Sequence, residues 1–280
     1  MSVGVRRLRM RRAHRIAAIT KQLVDHPHQV FPLGEFADLF QVSKSTLSED
    51  LAIIRETFNT LEMGKVETIS GAVGGVRYMP YVPMLDIYSE VSRICKKLQE
   101  PHRILPGGFV YTDDLISSPA ILAGVGEIFA SRFQELEPQY VVTVETAGIP
   151  VALMTARALN VPLVVVRRQS RVTEGPVLTM NFLSGSAQRV ETMSLSRRAL
   201  PTNSRVLLID DFMKAGGTLR GLADLMGEFE CDVVGKGVLI ETGWPEEKLI
   251  EDHLALIYLQ EVDVESQTVK VKPADWIRKE

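Results

Sequence analysis

Residues 206–218 read Val206-Leu207-Leu208-Ile209-Asp210-Asp211-Phe212-Met213-Lys214-Ala215-Gly216-Gly217-Thr218, and the reading of this stretch decides the fold. Val206 to Ile209 form an unbroken branched apolar run, which suits a central strand covered on both faces. Asp210 and Asp211 fall where that strand is expected to end, the edge at which open parallel sheets bind their ligands. Gly216 and Gly217 allow a tight turn, and Thr218 opens a segment whose Leu219, Leu222, Ala223 and Met226 recur at helical spacing. Free N–H groups at such a turn hold a phosphate. Two carboxylates just upstream would repel that phosphate, unless they accept hydrogen bonds from vicinal sugar hydroxyls and share the site with a divalent cation. The residues therefore point to a phosphorylated ribose.

The stretch resembles the phosphoribosyl pyrophosphate (PRPP) motif of type I phosphoribosyltransferases: apolar residues, two acids, two more apolar residues and a Thr/Gly-rich loop. Neither rival phosphate loop, Gly-x-x-x-x-Gly-Lys-Ser/Thr or Gly-x-Gly-x-x-Gly, occurs in the chain. One departure stands out, because Ala215 occupies a position where many catalytic members carry Thr. Losing that hydroxyl removes one phosphate contact and leaves the backbone donors. The resemblance implies that Asp210, Asp211, Lys214, Ala215, Gly216, Gly217 and Thr218 surround PRPP, with Mg2+ accompanying the ligand and no dedicated protein metal site. Phe212 is a candidate for the base side.

With 280 residues and 45% hydrophobic content, the chain is globular and long enough for one large or two smaller domains. Cys95 and Cys231 lack metal-type partners at close spacing and read as buried thiols of a reducing cytoplasm. The basic start runs into His14, Arg15 and Lys21 instead of a long apolar segment, so neither a signal peptide nor a membrane span is expected there. Charge is unevenly distributed: residues 1–80 carry 11 Lys/Arg against 8 Asp/Glu, the remainder 21 against 27. A basic end on an acidic protein points to a polyanionic partner for that end.

Arg6, Arg7, Arg9, Arg11, Arg12 and Arg15 form a basic arm leading into a helix with Ile16, Ile19 and Leu23 on one face. Leu33, Phe36, Ala37 and Phe40 make a second short helix, and a tight connection at Gln41 and Val42 leads to a third beginning at Ser43, which is helix-turn-helix spacing. In that third helix Leu47, Leu51, Ile54 and Phe58 face the core. Lys44, Ser45, Thr46 and Ser48 then lie where a groove of DNA would be entered, although Ser43, Ser45 or Thr46 can equally serve as a helix cap, and Thr46 to Glu49 matches a capping box. Glu49 and Asp50 present the wrong sign to DNA phosphates, so the arm and a wing carrying Arg77 are expected to supply much of the attraction. Residues 65–69 and 75–79 read as that wing, a hairpin across Gly71 to Gly74. The segment resembles winged-helix DNA-binding domains of bacterial repressors.

Pro80 to Pro83 resist helix and sheet continuation, which places domains at 1–79 and 80–280. Ile87, Val91, Ile94 and Leu98 form a narrow stripe that packs on its own domain or on a second subunit. Phe109 and Tyr111 are open to two readings, core residues or covers for a base. Tyr140 to Glu145 reads as the first strand of the sheet, and Glu145, Thr146, Ala147 and Gly148 turn it into a helix. In type I phosphoribosyltransferases the matching loop holds pyrophosphate, and this one looks most like the purine-using members. A second strand delivers Arg167 and Arg168 to the same edge, either as ligand contacts or as surface charge. Residues 169–200 resemble the hairpin hood of that family, made basic by Arg171, Arg189, Arg197 and Arg198. Two further strands, 233–240 and 254–259, complete a doubly wound parallel sheet.

The joined order, an N-terminal winged helix-turn-helix domain and then a phosphoribosyltransferase-like α/β domain, resembles the purine operon repressor family of Gram-positive bacteria. The resemblance implies a cytoplasmic homodimer that binds double-stranded DNA at purine-synthesis genes, is released by PRPP, and does not turn PRPP over, so no catalytic residue is assigned. A guanine nucleotide such as (p)ppGpp is the other effector expected at the same pocket. A catalytic purine phosphoribosyltransferase is the alternative.

Overall fold

The computed structural model describes residues 10–71, 74–169, 175–184 and 189–278. The chain forms two compact units that divide between Val82 and Pro83.

The first unit begins with α1 (Arg12–Asp25), followed by β1 (Phe31–Pro32), α2 (Leu33–Phe40), α3 (Lys44–Thr60), β2 (Lys65–Ile69) and β3 (Gly75–Met79). α2 stops where Gln41 turns into the left-handed region at φ 53°, and Ser43 then caps α3 by accepting the Thr46 N–H at 3.2 Å. Ser43 is thus the helix cap, and Thr46 to Glu49 lie within the first turns of α3 rather than forming a capping box. Ile19, Leu23, Phe36, Phe40, Leu47, Leu51, Ile54 and Phe58 close on one another as the helical spacing predicts, with Phe31, Val66, Val76 and Tyr78 from the strands. The strands form a sheet in the order β1-β3-β2, so the three helices carry a two-stranded antiparallel wing.

The second unit opens with α4 (Met84–Leu98), whose stripe of Ile87, Val91, Ile94 and Leu98 is fully buried within its own unit. There follow β4 (Ile104–Leu105), β5 (Phe109–Val110), α5 (Asp113–Ile116), α6 (Pro119–Phe133), β6 (Tyr140–Val144), α7 (Gly148–Leu159) and β7 (Leu163–Val166). The hood hairpin is β8 (Val177–Ser184) and β9 (Arg189–Ser196), and the chain ends with β10 (Arg205–Met213), α8 (Gly217–Glu228), β11 (Asp232–Thr242), β12 (Leu254–Asp263) and β13 (Thr268–Pro273). The main sheet has the order β13-β12-β11-β10-β6-β7. β6, β7, β10, β11 and β12 are parallel, whereas β13 pairs antiparallel with β12. The expected all-parallel sheet therefore carries an antiparallel edge strand, whose polar alternation of exposed Thr268, Lys270 and buried Val269, Val271 is that of a strand covered on one face.

The order of the strands places the site. After β6 the chain adds β7 on one side and then returns to add β10 on the other, so β6 and β10 flank the point where the winding reverses. β10 pairs with β6 only as far as Leu208 opposite Val142. Beyond that point Thr143 and Val144 pair with β7, while β10 continues against β11 to Met213 opposite Glu241. The two strands part, and a crevice opens between their carboxyl ends.

Candidate functional site

β10 runs four residues past the end expected at Ile209, so Asp210 and Asp211 lie within the strand, beyond the last β10 residue that pairs with β6. Asp210 is 6% exposed. Its Oδ1 accepts the Asp211 N–H at 3.0 Å. Burial raises the Asp210 carboxyl well above the usual carboxylate range, and the adjacent Asp211 charge adds to the shift. Burial raises Asp211 as well, and the charge of Asp113 contributes in the same direction. Such a pair is fully ionised only when a cation or hydroxyl donors offset it.

Met213, Lys214 and Ala215 lead to Gly216, whose φ of +83° requires glycine at the turn, and α8 starts at Gly217. Asp210 and residues 212–219 line one cleft, so Lys214, Ala215, Gly216, Gly217 and Thr218 come together with the acid. Phe212 lies at this cleft and is 38% exposed. Phe109 and Tyr111 are both exposed rather than part of the core, and neither lines the cleft.

The second loop meets the first through Gly148. A Cβ built there would lie 2.5 Å from Thr143 Oγ1 and 2.7 Å from Asp210 Oδ1, so only glycine lets α7 begin against the acid. Thr143 Oγ1 is buried without a partner in the structure, an available hydroxyl beside Asp210 that sequence reasoning missed. Thr146 and Ala147 are exposed at the loop tip, and the Glu145–Thr146 peptide is cis. Glu145 accepts from Arg167 Nη1 at 3.2 Å and from the Arg168 N–H at 2.6 Å. The Arg168 guanidinium pairs with Glu191 on β9. Arg167 and Arg168 thus reach the expected edge, but both already serve protein carboxylates and tie the loop to the hood. Arg197 and Arg198 are exposed at the end of β9, while Arg171 lies outside the described residues.

In the first unit Lys44, Ser45 and Ser48 are exposed along the start of α3 and Thr46 is half-buried. Ser48 donates its hydroxyl to the Lys44 carbonyl at 3.0 Å. Arg55 fastens α3 to the wing through the Val66 carbonyl at 3.0 Å and Thr68 Oγ1 at 2.9 Å. Arg77 Nε donates to Glu67 at 2.5 Å, and Lys65 stands 3.2 Å from the same carboxylate. Burial alone would raise Glu67, but hydrogen bonds from Arg77 and Lys65 outweigh it and hold the carboxyl below its ordinary range. Arg6, Arg7 and Arg9 lie outside the described residues, and Arg11 is exposed.

Asp50 requires a correction. It does not face DNA phosphates: it is fully buried and accepts from Arg15 Nε at 2.6 Å and Arg12 Nε at 3.1 Å. Arg15, itself 6% exposed, also donates to the Met10 carbonyl at 3.2 Å. Two arginines of the basic stretch are therefore a clamp between α1 and α3. The spacing held the signal, since Asp50 falls on the same helical face as Leu47, Leu51 and Ile54.

Residues 11–80 match the family described as bacterial purine repressor, N-terminal, and residues 112–275 match the phosphoribosyl transferase domain. The purine biosynthesis transcriptional repressor PurR of Bacillus subtilis is 41% identical over 97% of this chain and 95% of its own length. The chain belongs to the PurR family. The purine biosynthesis transcriptional activator PurR of Lactococcus lactis is 39% identical over 94% of this chain and 97% of its own, so relatives named as repressor and as activator both resemble it over nearly their full length. A xanthine phosphoribosyltransferase of Deinococcus deserti is 39% identical over 49% of this chain and 74% of its own length. Among solved structures, adenine phosphoribosyltransferase of Thermoanaerobacter pseudethanolicus superposes with a TM-score of 0.52 at 18% identity, over 60% of this chain and 99% of that one, a likeness of fold.

Proposed function

We propose that the chain is a DNA-binding repressor of purine-synthesis genes, working as a cytoplasmic homodimer, and that PRPP bound with Mg2+ in the β6–β10 crevice releases it from its operator. The observation that carries this reading is the adjacent acid pair of buried Asp210 and half-buried Asp211, whose carboxyls burial drives upward, beside a glycine turn at the switch point of the sheet. Vicinal ribose hydroxyls supply hydrogen bonds to the carboxylates, and the Ala215–Thr218 backbone and Thr218 hydroxyl receive the 5′-phosphate. The Glu145–Gly148 turn takes the pyrophosphate. A hard cation suits an acid pair whose protons are otherwise retained by burial, and Mg2+ would neutralise the pyrophosphate charge there.

DNA binding falls to the first unit, with Lys44, Ser45, Thr46 and Ser48 at the groove and Arg11 and the wing on the backbone. Release follows if PRPP has higher affinity for a state of the protein that binds DNA less well, a coupling that linkage makes reciprocal. A guanine nucleotide such as (p)ppGpp, stacked on Phe212, would occupy the same crevice and oppose PRPP. Calorimetry in which the two ligands bind simultaneously would eliminate that antagonism.

The deciding experiment is a titration of purine-gene upstream DNA at fixed salt, with and without PRPP and Mg2+, in wild type and in Asp210→Ala/Asp211→Ala. PRPP-dependent release in wild type, and its loss in the variant, is the expected result; release that persists in the variant would overturn the reading. The similarity to a xanthine phosphoribosyltransferase supports a second reading, catalysis at the same crevice. Ala215, at a position where many catalytic members carry Thr, weighs against it. Pyrophosphate release from PRPP with xanthine, guanine or adenine would establish the enzyme instead.

A further inference from the structure

The Lys214–Gly217 turn has a back as well as a front. On its back, Lys248 Nζ donates to the carbonyl of Lys214 at 2.7 Å and to that of Thr242 at 2.7 Å. The next backbone N–H, of Leu249, donates to the Ala215 carbonyl at 2.8 Å. Lys248 is itself nearly buried, at 10% exposed, with Glu241 3.9 Å from its ammonium. His253 Nε2 lies 3.1 Å from Glu241 and holds that carboxylate in place. Lys248 and Leu249 line a separate charged cleft and take no part in lining the effector cleft.

A trans peptide sets its C=O and N–H in opposite directions. Turning the Lys214 and Ala215 carbonyls toward Lys248 and Leu249 therefore aims the N–H groups of Ala215 and Gly216 the other way, into the cleft where an anion would sit. An ammonium on the Lys214 carbonyl also polarises that peptide, which strengthens the Ala215 N–H as a donor. The fit is close, since a Cβ on Gly216 would come within 3.0 Å of Ile250 in the same buttressing segment.

We propose that Lys248 is a positioning residue of the anion site: it never touches the ligand, and it orients the Ala215 donor by holding the Lys214 carbonyl behind it, as the Leu249 N–H next to it does for the Gly216 donor through the Ala215 carbonyl. The ligand named for that site, PRPP, rests on the function proposed above. The test is calorimetric titration of wild type, Lys248→Met and Lys248→Arg with inorganic pyrophosphate and separately with PRPP, both with Mg2+, together with amide NMR of Ala215 and Gly216. In wild type both amides shift on anion addition. Lys248→Met loses the Ala215 shift and binds roughly tenfold more weakly, and Lys248→Arg, which keeps a donor, restores most of both. Retained amide dispersion across the second unit in Lys248→Met separates this loss from unfolding. Should that variant not fold, Leu249→Pro deletes the other donor and must abolish the Gly216 shift. Wild-type affinity and amide shifts in Lys248→Met, or a retained Gly216 shift in Leu249→Pro, would overturn the inference. A wild type that takes pyrophosphate at these amides but not PRPP would overturn the PRPP reading alone, and one whose amides answer to neither anion would overturn the positioning role.

Discussion

Asp50 and Asp210 are both buried carboxylates, 0% and 6% exposed, and they sit in opposite electrostatic circumstances. Asp50 is met by two guanidinium groups from α1. Asp210 has a second acid next to it in the chain; burial and that neighbouring charge drive its carboxyl upward, and the Arg168 charge offsets only part of the rise. A compensated buried acid joins helices. An incompletely compensated one stores a demand for protons, cations or hydroxyl donors, which is what a ligand site supplies.

That contrast predicts opposite responses to removal of the charge. Asp50→Ala strands Arg15 in the interior and should destabilise the first unit by about 3–5 kcal/mol, the usual cost of leaving one partner of a buried pair alone; urea unfolding monitored by DNA binding measures it. Asp210→Asn should leave the empty protein as stable as wild type or up to about 1 kcal/mol more so, while weakening PRPP on the order of 30- to 100-fold through the lost charge-assisted hydrogen bonds. Equal destabilisation by the two substitutions would remove the distinction.

Gly148→Ala places a methyl against Thr143 Oγ1 and Asp210 Oδ1, and should cost about 1–3 kcal/mol as an overpacked site, with PRPP affinity falling alongside. The pH dependence separates the acids further. Asp210 and Asp211 hold protons in the folded state at pH values where the unfolded chain has lost them. Their contribution to stability is thus present at low pH and is lost as pH rises from the ordinary aspartate range through the raised folded values. PRPP binding tightens over that window, as the ionised pair becomes available. Asp210→Asn should flatten both slopes in unfolding and calorimetric titrations.

The smallest effect expected is at the wing. Glu67→Gln frees Arg77 and Lys65 from a half-exposed pair, so stability should change by less than about 1 kcal/mol. DNA affinity should rise and its salt dependence steepen by about one unit of slope for each cation that gains a phosphate. An unchanged slope would mean that Arg77 does not reach the DNA backbone.

Much of this was legible before any coordinates. The apolar run of residues 206–209 followed by two acids and a glycine turn identified the strand and its cleft, and the stripes of residues 16–23, 36–40 and 47–58 identified the helices, because backbone geometry repeats every two or 3.6 residues and burial writes that period into the chain. The antiparallel β13 escaped even though Thr268 to Lys272 alternates polar and apolar, because alternation marks a strand and not the direction in which it pairs. Asp50 was expected to face DNA phosphates and instead lies buried against Arg15 and Arg12, since charge alone does not say whether a side chain meets solvent, nucleic acid or an opposite charge.

By itself, then, the sequence determined the elements, their order, the phosphate-type turn and the joining of a winged helix to a phosphoribosyltransferase-like sheet. Those features depend on neighbours a few residues away. Only the tertiary structure decided which charges are compensated and which backbone donors are aimed. Asp50 finds Arg15 from 35 residues away and Lys248 finds the Lys214 carbonyl from 34. Such meetings are set by how strands part and helices pack, not by any local pattern, and they separate an acid that holds the fold from an acid that waits for a ligand.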